Sequence, residues 1–283
     1  MTDPTHLHGL HIAITGGARG IGAATAERLR RDRAHVTLGD VDVAAVEATA
    51  ARLGAVGLEV DVTDRASFTA FLDAAEAAQG PLDVLINNAG IMPIGPFLEE
   101  PDAVARRQFA INVDGVILGM KIALPRMVAR GHGQVVNLAS AAGRIPVPGE
   151  ATYVATKHAV VGLSEAVRGE LEGTGVGVMT VLPNLANTRL GSGMRAARGM
   201  KKLEAADIAD AIVDGLVRGR PEVYVPASLR ALSVLELALP RRVKRAAHRA
   251  FGSDRVAQDF DRAERAAYQE AAGRPLQQSV GPT

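Results

Sequence analysis

The sequence predicts an α/β protein built on one doubly wound parallel sheet of about seven strands. Short apolar runs alternate with longer helical patterns along most of the chain. Such alternation implies parallel strands joined by right-handed crossovers. The runs consist almost entirely of Val, Ile and Leu, which is typical of strands covered on both faces. No repeat, linker or low-complexity tract divides the 283 residues, so we expect a single domain.

Each predicted strand is a short buried run that is followed by a helical pattern. The first, HIAIT, precedes a glycine-rich turn and a helix that runs to about Arg31. A long helical stretch covers 101–130, where Pro125 is expected to cause a kink. The other predicted helices span 42–53, 65–79, 152–172 and 204–218. The predicted strands span 11–15, 35–39, 55–60, 82–87, 133–139, 176–182 and 222–226.

The boundary of the sheet domain is predicted from the last strand. Residues 9–226 contain every predicted strand, and 227–283 are expected to form a helical C-terminal extension. The sequence therefore predicts one large α/β domain followed by a C-terminal tail.

The composition argues against several classes of function. The net charge of +1 gives no indication of nucleic-acid binding. The chain has no cysteine, so disulfides, zinc–thiolate sites and cysteine nucleophiles are impossible. Its seven histidines show no paired spacing for a metal. The amino terminus lacks the build of a secretory signal, and no apolar run approaches the ~18–20 residues of a membrane span. We therefore expect a cytoplasmic protein with no metal site.

A glycine-rich turn, TGGARGIG at 15–22, follows the first strand and opens the first helix. Gly16 allows a tight turn, Gly20 lets the backbone approach a pyrophosphate, and Gly22 permits close packing of helix and strand. The helix amino terminus then offers free N–H groups and a partial positive charge to phosphate. This placement predicts a dinucleotide site.

Two charged residues bear on which dinucleotide is bound. Asp40 ends the second strand, where a carboxylate accepts both ribose hydroxyls and repels a 2′-phosphate. Arg19 argues for NADP, since it could reach a 2′-phosphate. We weigh the repulsion more heavily and predict NAD, with NADP as the less favoured cofactor. Asp42 fits a helix cap, whereas Asp61 could hold an adenine amino group or serve as a turn residue.

Four side chains suggest the chemistry. Tyr153 and Lys157 are four residues apart in a helical pattern and so share one face. A cation there favours the phenolate and lowers the pKa of Tyr153 from about 10, which makes it an acid/base; the alternative is a surface pair. Ser140 closes the fifth strand and could orient a substrate carbonyl. Asn112 lies in the long helix, where a buried amide could hold a water.

In the glycine-rich turn, in these four side chains and in further motifs given below, the chain resembles the short-chain dehydrogenase/reductase family of the Tyr-x-x-x-Lys type. The resemblance spans about 9–226 and implies a Rossmann-type fold with hydride transfer between nicotinamide and a carbinol carbon. It implies that Tyr153 donates or takes the proton and that Lys157 lowers its pKa and binds the nicotinamide ribose. It also implies that Ser140 positions the reacting oxygen and that Asn112 anchors a water. The matching pieces are TGGARGIG, Asp61-Val62, NNAG (87–90), Asn112, Ser140 and YVATK (153–157).

The resemblance and the glycine-rich turn together define a predicted cofactor site. Asn87 is implied to stabilise the sheet centre beside it. One departure is Asn184, which stands where the family usually has glycine, and asparagine is the next most tolerant residue of positive φ. The predicted cofactor residues are Gly16, Arg19, Gly20, Ile21, Gly22, Asp40, Asp61, Val62, Asn88, Ala89, Gly90, Tyr153, Lys157, Pro183 and Thr188.

Three segments are expected to form an apolar substrate pocket, so the predicted partner is a small apolar alcohol or ketone. The alternatives are an NADPH-dependent carbonyl reductase, a non-catalytic nucleotide-sensing protein and a sugar-nucleotide epimerase or dehydratase. The catalytic-type residues argue against a sensor, and the short region after the sixth strand leaves little room for a nucleotide sugar. The expected pocket side chains are Ile91, Met92, Ile94, Ile145, Val147, Leu190 and Met194.

Two further expectations concern partners. The stretches 101–130 and 152–172 carry more apolar positions than one sheet face can cover, which predicts a homodimer or homotetramer. In the tail, an apolar segment precedes a basic one within 228–251. It could pack on the protein's own core, cover the pocket, contact a subunit or touch a membrane peripherally. We expect it to shape the substrate entrance or an interface without a permanent membrane tether.

Overall fold

The computed structural model describes residues 7–194, 196, 201–240, 242–244, 246, 249 and 260–273. A single seven-stranded parallel sheet lies at its centre, in the order β3-β2-β1-β4-β5-β6-β7, which confirms the predicted fold class. The strands are β1 His11–Thr15, β2 His35–Asp40, β3 Val56–Glu59, β4 Val84–Asn87, β5 Gly133–Leu138, β6 Val176–Pro183 and β7 Glu222–Val225.

Helices cover both faces of the sheet. They begin and end within a few residues of the predicted bounds, except in the long stretch 101–130. There a π-helical turn, Ala110–Asp114, separates α4 from α5, while Pro125 lies inside α5. The α-helix is therefore interrupted around Asn112, whereas it continues through Pro125, where a kink was expected. The helices are α1 Gly20–Arg31, α2 Val43–Leu53, α3 Arg65–Gln79, α4 Asp102–Phe109, α5 Gly115–Arg130, α6 Ala151–Glu170, α7 Ala205–Val217, α8 Leu229–Ala238 and α9 Arg262–Gly273.

The alternation of side chains along each strand produces two cores. On β1, Ile12 and Ile14 pack into the core beneath α1, α2 and α7. Ala13 points to the opposite face, where it packs with Phe68 of α3 and Val160 of α6. All five side chains are fully buried. Because both faces are covered, the strand ends are held rigidly and can position functional groups.

The strand order reverses between β1 and β4. The chain leaves β1 outward through β2 and β3, then returns to the other side of β1 at β4. In open parallel sheets, such a reversal leaves a crevice outside the carboxyl ends of the two strands. The glycine-rich turn after β1 and the NNAG segment after β4 both border this crevice.

The C-terminal helices pack against elements of the sheet domain. Helix α8 contacts β7, and α9 contacts α4. The basic half of the predicted 228–251 segment falls largely outside the described residues, as does most of 241–259. In the parts of the chain that the structure describes, no helix is both long and apolar enough to cross a membrane.

Candidate active site

A cavity of about 860 Å³ opens at the carboxyl ends of the strands, which is the size range of cofactor and drug-sized ligand sites. The glycine-rich turn lines one part of it, and Tyr153 with Ser140 lines another. Of the predicted cofactor residues, all but Gly22 line this cavity. The fold thus brings together residues that lie more than 170 positions apart in sequence.

The glycine-rich turn depends on the absence of side chains. Gly16 and Gly20 have φ of 66° and 57°, in the left-handed region that favours glycine. A Cβ atom at Gly22 would lie 2.4 Å from the carbonyl oxygen of Gly16, so Gly22 permits the close packing that we predicted without lining the cavity. Arg19, at the N-cap of α1, makes no side-chain capping bond. The first N–H groups of α1 therefore remain available to an anion.

Asn88 holds this turn in place. Its amide nitrogen donates to the carbonyl oxygens of Thr15 and Gly16, each at 2.9 Å. The Thr15 hydroxyl in turn accepts from the backbone N–H groups of Asn88 and Ala89. Asn87 instead points into the sheet, where it donates to Asn137 at 2.9 Å. Thr15 was missed at the sequence level, although a hydroxyl at the end of β1 could have indicated it.

Asp40 lies at the end of β2, on the edge of the cavity. Its Oδ2 accepts from the N–H of Ala18 at 3.2 Å, and its Oδ1 accepts from the N–H of Asp42 at 3.1 Å. Asp42 caps α2 through the N–H of Ala45, as we predicted. The guanidinium of Arg19 lies 2.7 Å from the carboxylate of Asp42 and holds the pKa of that carboxyl below its usual range.

Asp61 forms a turn in addition to lining the cavity. Its Oδ1 accepts from the N–H of Thr63 at 2.9 Å and from the Thr63 hydroxyl at 2.7 Å. This geometry matches the turn interpretation that the sequence left open. Val62 packs against Gly115, where an added Cβ would lie 2.9 Å from Val62 Cγ2. At Gly90, an added Cβ would come within 3.2 Å of Asn112 Oδ1.

Tyr153, Ser140 and Lys157 meet at the inner end of the cavity. Lys157 Nζ donates to the carbonyl oxygen of Leu138 at 2.8 Å and lies 5.6 Å from the centre of the Tyr153 ring. Burial lowers the pKa of Lys157 to about 8. Burial and the nearby Glu150 raise the pKa of Tyr153, and a hydrogen bond with Ser140 partly offsets this. Burial, the largest influence, thus shifts the pKa of Tyr153 in this structure in the direction opposite to the lowering that we expected.

Asn112 is fully buried in the π-helical turn, behind the cavity wall. Its Oδ1 accepts from the N–H of Ile91 at 2.8 Å, and its Nδ2 donates to the carbonyl of Ile91 at 2.9 Å. Nδ2 also lies 3.2 Å from the Thr156 hydroxyl. The amide thus fixes the segment after β4 to α6, a role that π-helical turns often serve near functional sites.

The loop after β6 needs no left-handed residue at Asn184. Among the described residues, Arg33 is the only non-glycine residue with positive φ. The N–H of Asn184 donates to the carbonyl of Val225 at 2.8 Å, so the segment continues the pairing of β6 with β7 and stays extended. Thr188 then crosses the glycine-rich turn, and an added Cβ at Gly20 would lie 3.5 Å from its methyl group.

The remaining wall of the cavity is largely apolar and includes the C-terminal helices. Ile94 was expected to line the pocket, but it packs behind the wall in a buried cluster with Met92, Tyr153 and Met194. The other expected side chains do line the cavity, and Leu229, Leu232, Leu235 and Leu239 of the tail join them. The tail therefore forms part of the cavity, as we expected for its first half.

Helix α9 fastens the segments that border the pocket. Arg265 is fully buried and donates to the carbonyl oxygens of Met92, Leu190 and Ser192 at 2.6 to 3.0 Å. The Tyr268 hydroxyl accepts from the N–H of Met92 at 2.7 Å. No periodic pattern in the sequence indicated these contacts, because they join positions about 75 to 175 residues apart.

Comparison with known proteins agrees with this geometry. Residues 10–199 match the short chain dehydrogenase family. The chain belongs to this family. It is therefore an oxidoreductase that acts on alcohol groups with a nicotinamide cofactor. Among the described residues, no group of three or more His, Asp or Glu side chains could hold a metal ion.

Three family members illustrate the similarity. The 2,5-dichloro-2,5-cyclohexadiene-1,4-diol dehydrogenase of Sphingobium indicum is 38% identical over 64% of this chain and 75% of its own length. The 2-(S)-hydroxypropyl-CoM dehydrogenase 3 of Xanthobacter autotrophicus is 37% identical over 78% of this chain and 89% of its own. A family structure from Burkholderia phymatum, in complex with NAD, is 28% identical and covers 81% of this chain and 93% of its own, with a TM-score of 0.75.

The residues present fit a nicotinamide dinucleotide. The side-chain-free turn at Gly16 and Gly20 leaves room for a pyrophosphate beside the open amino terminus of α1, and Asp40 offers a carboxylate at the end of β2. When bound, the nicotinamide ring accepts or supplies a hydride. The protein contributes the phenol of Tyr153, the hydroxyl of Ser140 and the ammonium group of Lys157, which meet at the inner end of the cavity.

Proposed function

We propose that this enzyme interconverts an apolar secondary alcohol and its ketone with NAD(H). The observation that carries the proposal is a single cavity with the glycine-rich turn at one end and Tyr153, Ser140 and Lys157 at the other. Tyr153 transfers the proton to or from the substrate oxygen, and Ser140 holds that oxygen by a hydrogen bond. Lys157 holds the nicotinamide ribose. Asn112 lies behind the cavity wall and holds Ile91 in place. We further propose that it anchors a water.

The preference for NAD rests on the charges near the adenosine end. Asp40 presents a carboxylate there, which repels a 2′-phosphate. Arg19, the residue that favours NADP, is paired with Asp42 at 2.7 Å. The Burkholderia phymatum relative binds NAD, which supports the same choice. An NADPH-dependent carbonyl reductase is the second candidate, since Arg19 does line the cavity.

The substrate class rests on the cavity wall. Apolar side chains from the segments after β4, β5 and β6 and from α8 line the same cavity as Tyr153, and apolar walls with few polar groups select apolar ligands. We propose 9–226 as the catalytic domain and 227–283 as an extension that completes the pocket. We also propose a homo-oligomer that works in the cytoplasm and has no permanent membrane anchor.

The test is a spectrophotometric screen of alcohols and ketones with NAD, NADH, NADP and NADPH. Turnover of apolar secondary alcohols with NAD, at a kcat/KM at least tenfold above that with NADP, would support the proposal. Turnover with NADPH and ketones alone would favour the carbonyl reductase. Binding of a dinucleotide without any turnover would contradict the assignment of an enzyme and favour a nucleotide sensor.

A further inference from the structure

Glu150 is a buried residue whose carboxyl group does not cap the helix that it precedes. It occupies the N-cap position of α6, yet its side chain makes no capping hydrogen bond. Only 6% of its surface is exposed, and it lines the cavity. It comes three residues before Tyr153 and lies near enough for its charge to act on the phenol.

The surroundings of Glu150 do not neutralise it. Within the described residues, Arg265 is the cation whose charge acts on it, but that guanidinium donates to the backbone carbonyls of Met92, Leu190 and Ser192. Burial outweighs this attraction and raises the pKa of Glu150 to about 7. A buried carboxyl without a hydrogen-bonding partner is costly to the fold. Such a group in a cleft is a candidate for a functional role.

Tyr268 lines the same cavity as Glu150. Its hydroxyl oxygen accepts from the N–H of Met92, and within the described chain its hydroxyl proton meets no acceptor. Its charge also acts on Tyr153, as does that of Glu150. The cavity thus holds an acceptor, Glu150, and a donor, Tyr268, and both lie near enough to Tyr153 for their charges to act on it. A hydroxyl group both donates and accepts and so satisfies both residues.

We propose that Glu150, with Tyr268, binds a second hydroxyl group of the substrate, so that the enzyme prefers diols and hydroxyketones to single alcohols with the same carbon skeleton. This inference rests on the proposed function and refines its substrate class. The skeleton is apolar where it meets the leucine-lined wall and carries one polar group away from the reacting carbon. Acidic substrates are disfavoured, because their carboxylate would approach the carboxyl group of Glu150.

The test compares cyclohexanol with the 1,2-, 1,3- and 1,4-cyclohexanediols, in the presence of NAD. For the wild-type enzyme we expect kcat/KM for at least one diol to exceed that for cyclohexanol by about tenfold or more, the effect of one hydrogen bond to a charged group. Glu150→Leu should lower this ratio by about ten- to hundredfold, and Tyr268→Phe should lower it less. Glu170→Gln, which changes an exposed carboxyl on the same helix, should leave it unchanged.

A pH series adds a measurement that a purely structural role would not move. The diol preference of the wild type should rise between pH ~6 and ~8, because Glu150 accepts best once it has lost its proton. Arg265 and Tyr153 interact with Glu150, and Tyr268 lines the same cavity; they keep their charge states in this window because burial raises the pKa of both phenols and arginine stays protonated. Lys157, whose pKa is about 8, affects cyclohexanol and the diols alike, so its titration cancels in their ratio. In Glu150→Gln the preference should not vary with pH.

The outcomes separate the two proposals. If the wild type oxidises none of the alcohols in the screen or in this series, the proposed function fails and the inference fails with it. If it oxidises cyclohexanol and all three diols with equal kcat/KM, or if Glu150→Leu keeps the diol preference, the inference alone is overturned. Thermal melting of each variant checks its fold, and Glu150→Gln supplies a second variant of nearly the same shape.

Discussion

The guanidinium of Arg19 lies 2.7 Å from the carboxylate of Asp42, and both side chains are about half exposed. In the proposed function, this ion pair bears on two opposing signals in the sequence. Asp40 favours NAD, whereas Arg19 could bind the 2′-phosphate of NADP. Because Asp42 occupies Arg19, the positive charge near the adenosine end is largely compensated.

Removing Asp42 should weaken the preference for NAD. In Asp42→Ala, Arg19 is released, and kcat/KM for NADP relative to NAD should rise about three- to tenfold. Asp40→Ala should raise that ratio further, because it removes both the ribose acceptor and the repulsion. Asp73→Ala is the matched control, since it removes an ion pair with Arg126 at 2.6 Å, and neither residue lines the cavity. A wild-type enzyme that prefers NADP would show that Arg19 dominates.

Replacing the proposed acid/base should abolish turnover but not cofactor binding. Tyr153→Phe keeps the buried ring and removes only the hydroxyl, so kcat should fall by about 10²- to 10⁴-fold. The dissociation constant for NAD, measured by calorimetry, should change less than threefold. Retention of more than a tenth of the wild-type kcat would rule out Tyr153 as the acid/base.

The stability of the protein should depend on pH through Glu150. Its pKa is about 7 in the folded protein against an ordinary value of 4.5, so the folded state binds the proton more tightly than the unfolded state. The stability that this group contributes is full below pH ~4.5 and is lost as the pH rises through 7. Glu150→Gln should therefore gain about 3 kcal/mol relative to wild type between pH ~4.5 and ~8.

Urea denaturation of the wild type and of Glu150→Gln at pH ~4.5 and at pH ~8 measures this difference in the free energy of unfolding directly. Other titrating groups cancel when the two proteins are compared. Glu170→Gln should show no such gain. An equal difference between wild type and Glu150→Gln at both pH values would mean that Glu150 titrates normally.

Removing the hydrogen bonds that Arg265 of α9 donates should affect both stability and substrate binding. Arg265→Met leaves three backbone carbonyls without their donor, so the free energy of unfolding should fall by about 3 kcal/mol. KM for the alcohol should rise, because the segments at Met92 and at Leu190–Ser192 lose their common support. Arg262→Met, an exposed change on the same helix, is the control. If both variants have the same KM, α9 does not shape the pocket.

The wild-type protein should be a dimer or a tetramer. Phe109 at the end of α4 and Val128 on α5 remain about 40% exposed, in the stretch whose excess of apolar positions predicted an interface. Apolar side chains exposed on one face favour association. Light scattering at micromolar concentration measures the mass, and a monomer would contradict this expectation.

Local patterns predicted the scaffold well because they act over short distances. Strands β1 to β7 follow from short Val, Ile and Leu runs, and the turn at Gly16 and Gly20 follows from two glycines whose φ values are indeed positive. Apart from the divided stretch 101–130, helix bounds shifted by one or two residues, which is normal fraying. The π-helical turn was not predicted, because its periodicity differs from that of an α-helix over five residues only.

The candidate site was predicted as a set of residues but not as an environment. The sequence implied that Lys157 lowers the pKa of Tyr153, since the two share a helix face. It contained no measure of how deeply both would be buried, and in the structure desolvation raises that pKa. Arg19 likewise looked available in the sequence, where its pairing with Asp42 is not visible.

The sequence by itself determined the alternation of strands and helices, the glycine-rich turn and the spacing from Tyr153 to Lys157, because each depends on neighbours a few residues away. Only the tertiary structure decided that Glu150 lies buried in the cavity and that Arg265 and Tyr268 fasten its wall. Those contacts join α9 to segments more than 70 residues earlier, and burial depends on the packing of the whole sheet. Long-range contacts and desolvation leave no periodic pattern in a sequence, so they become visible only when the chain is folded.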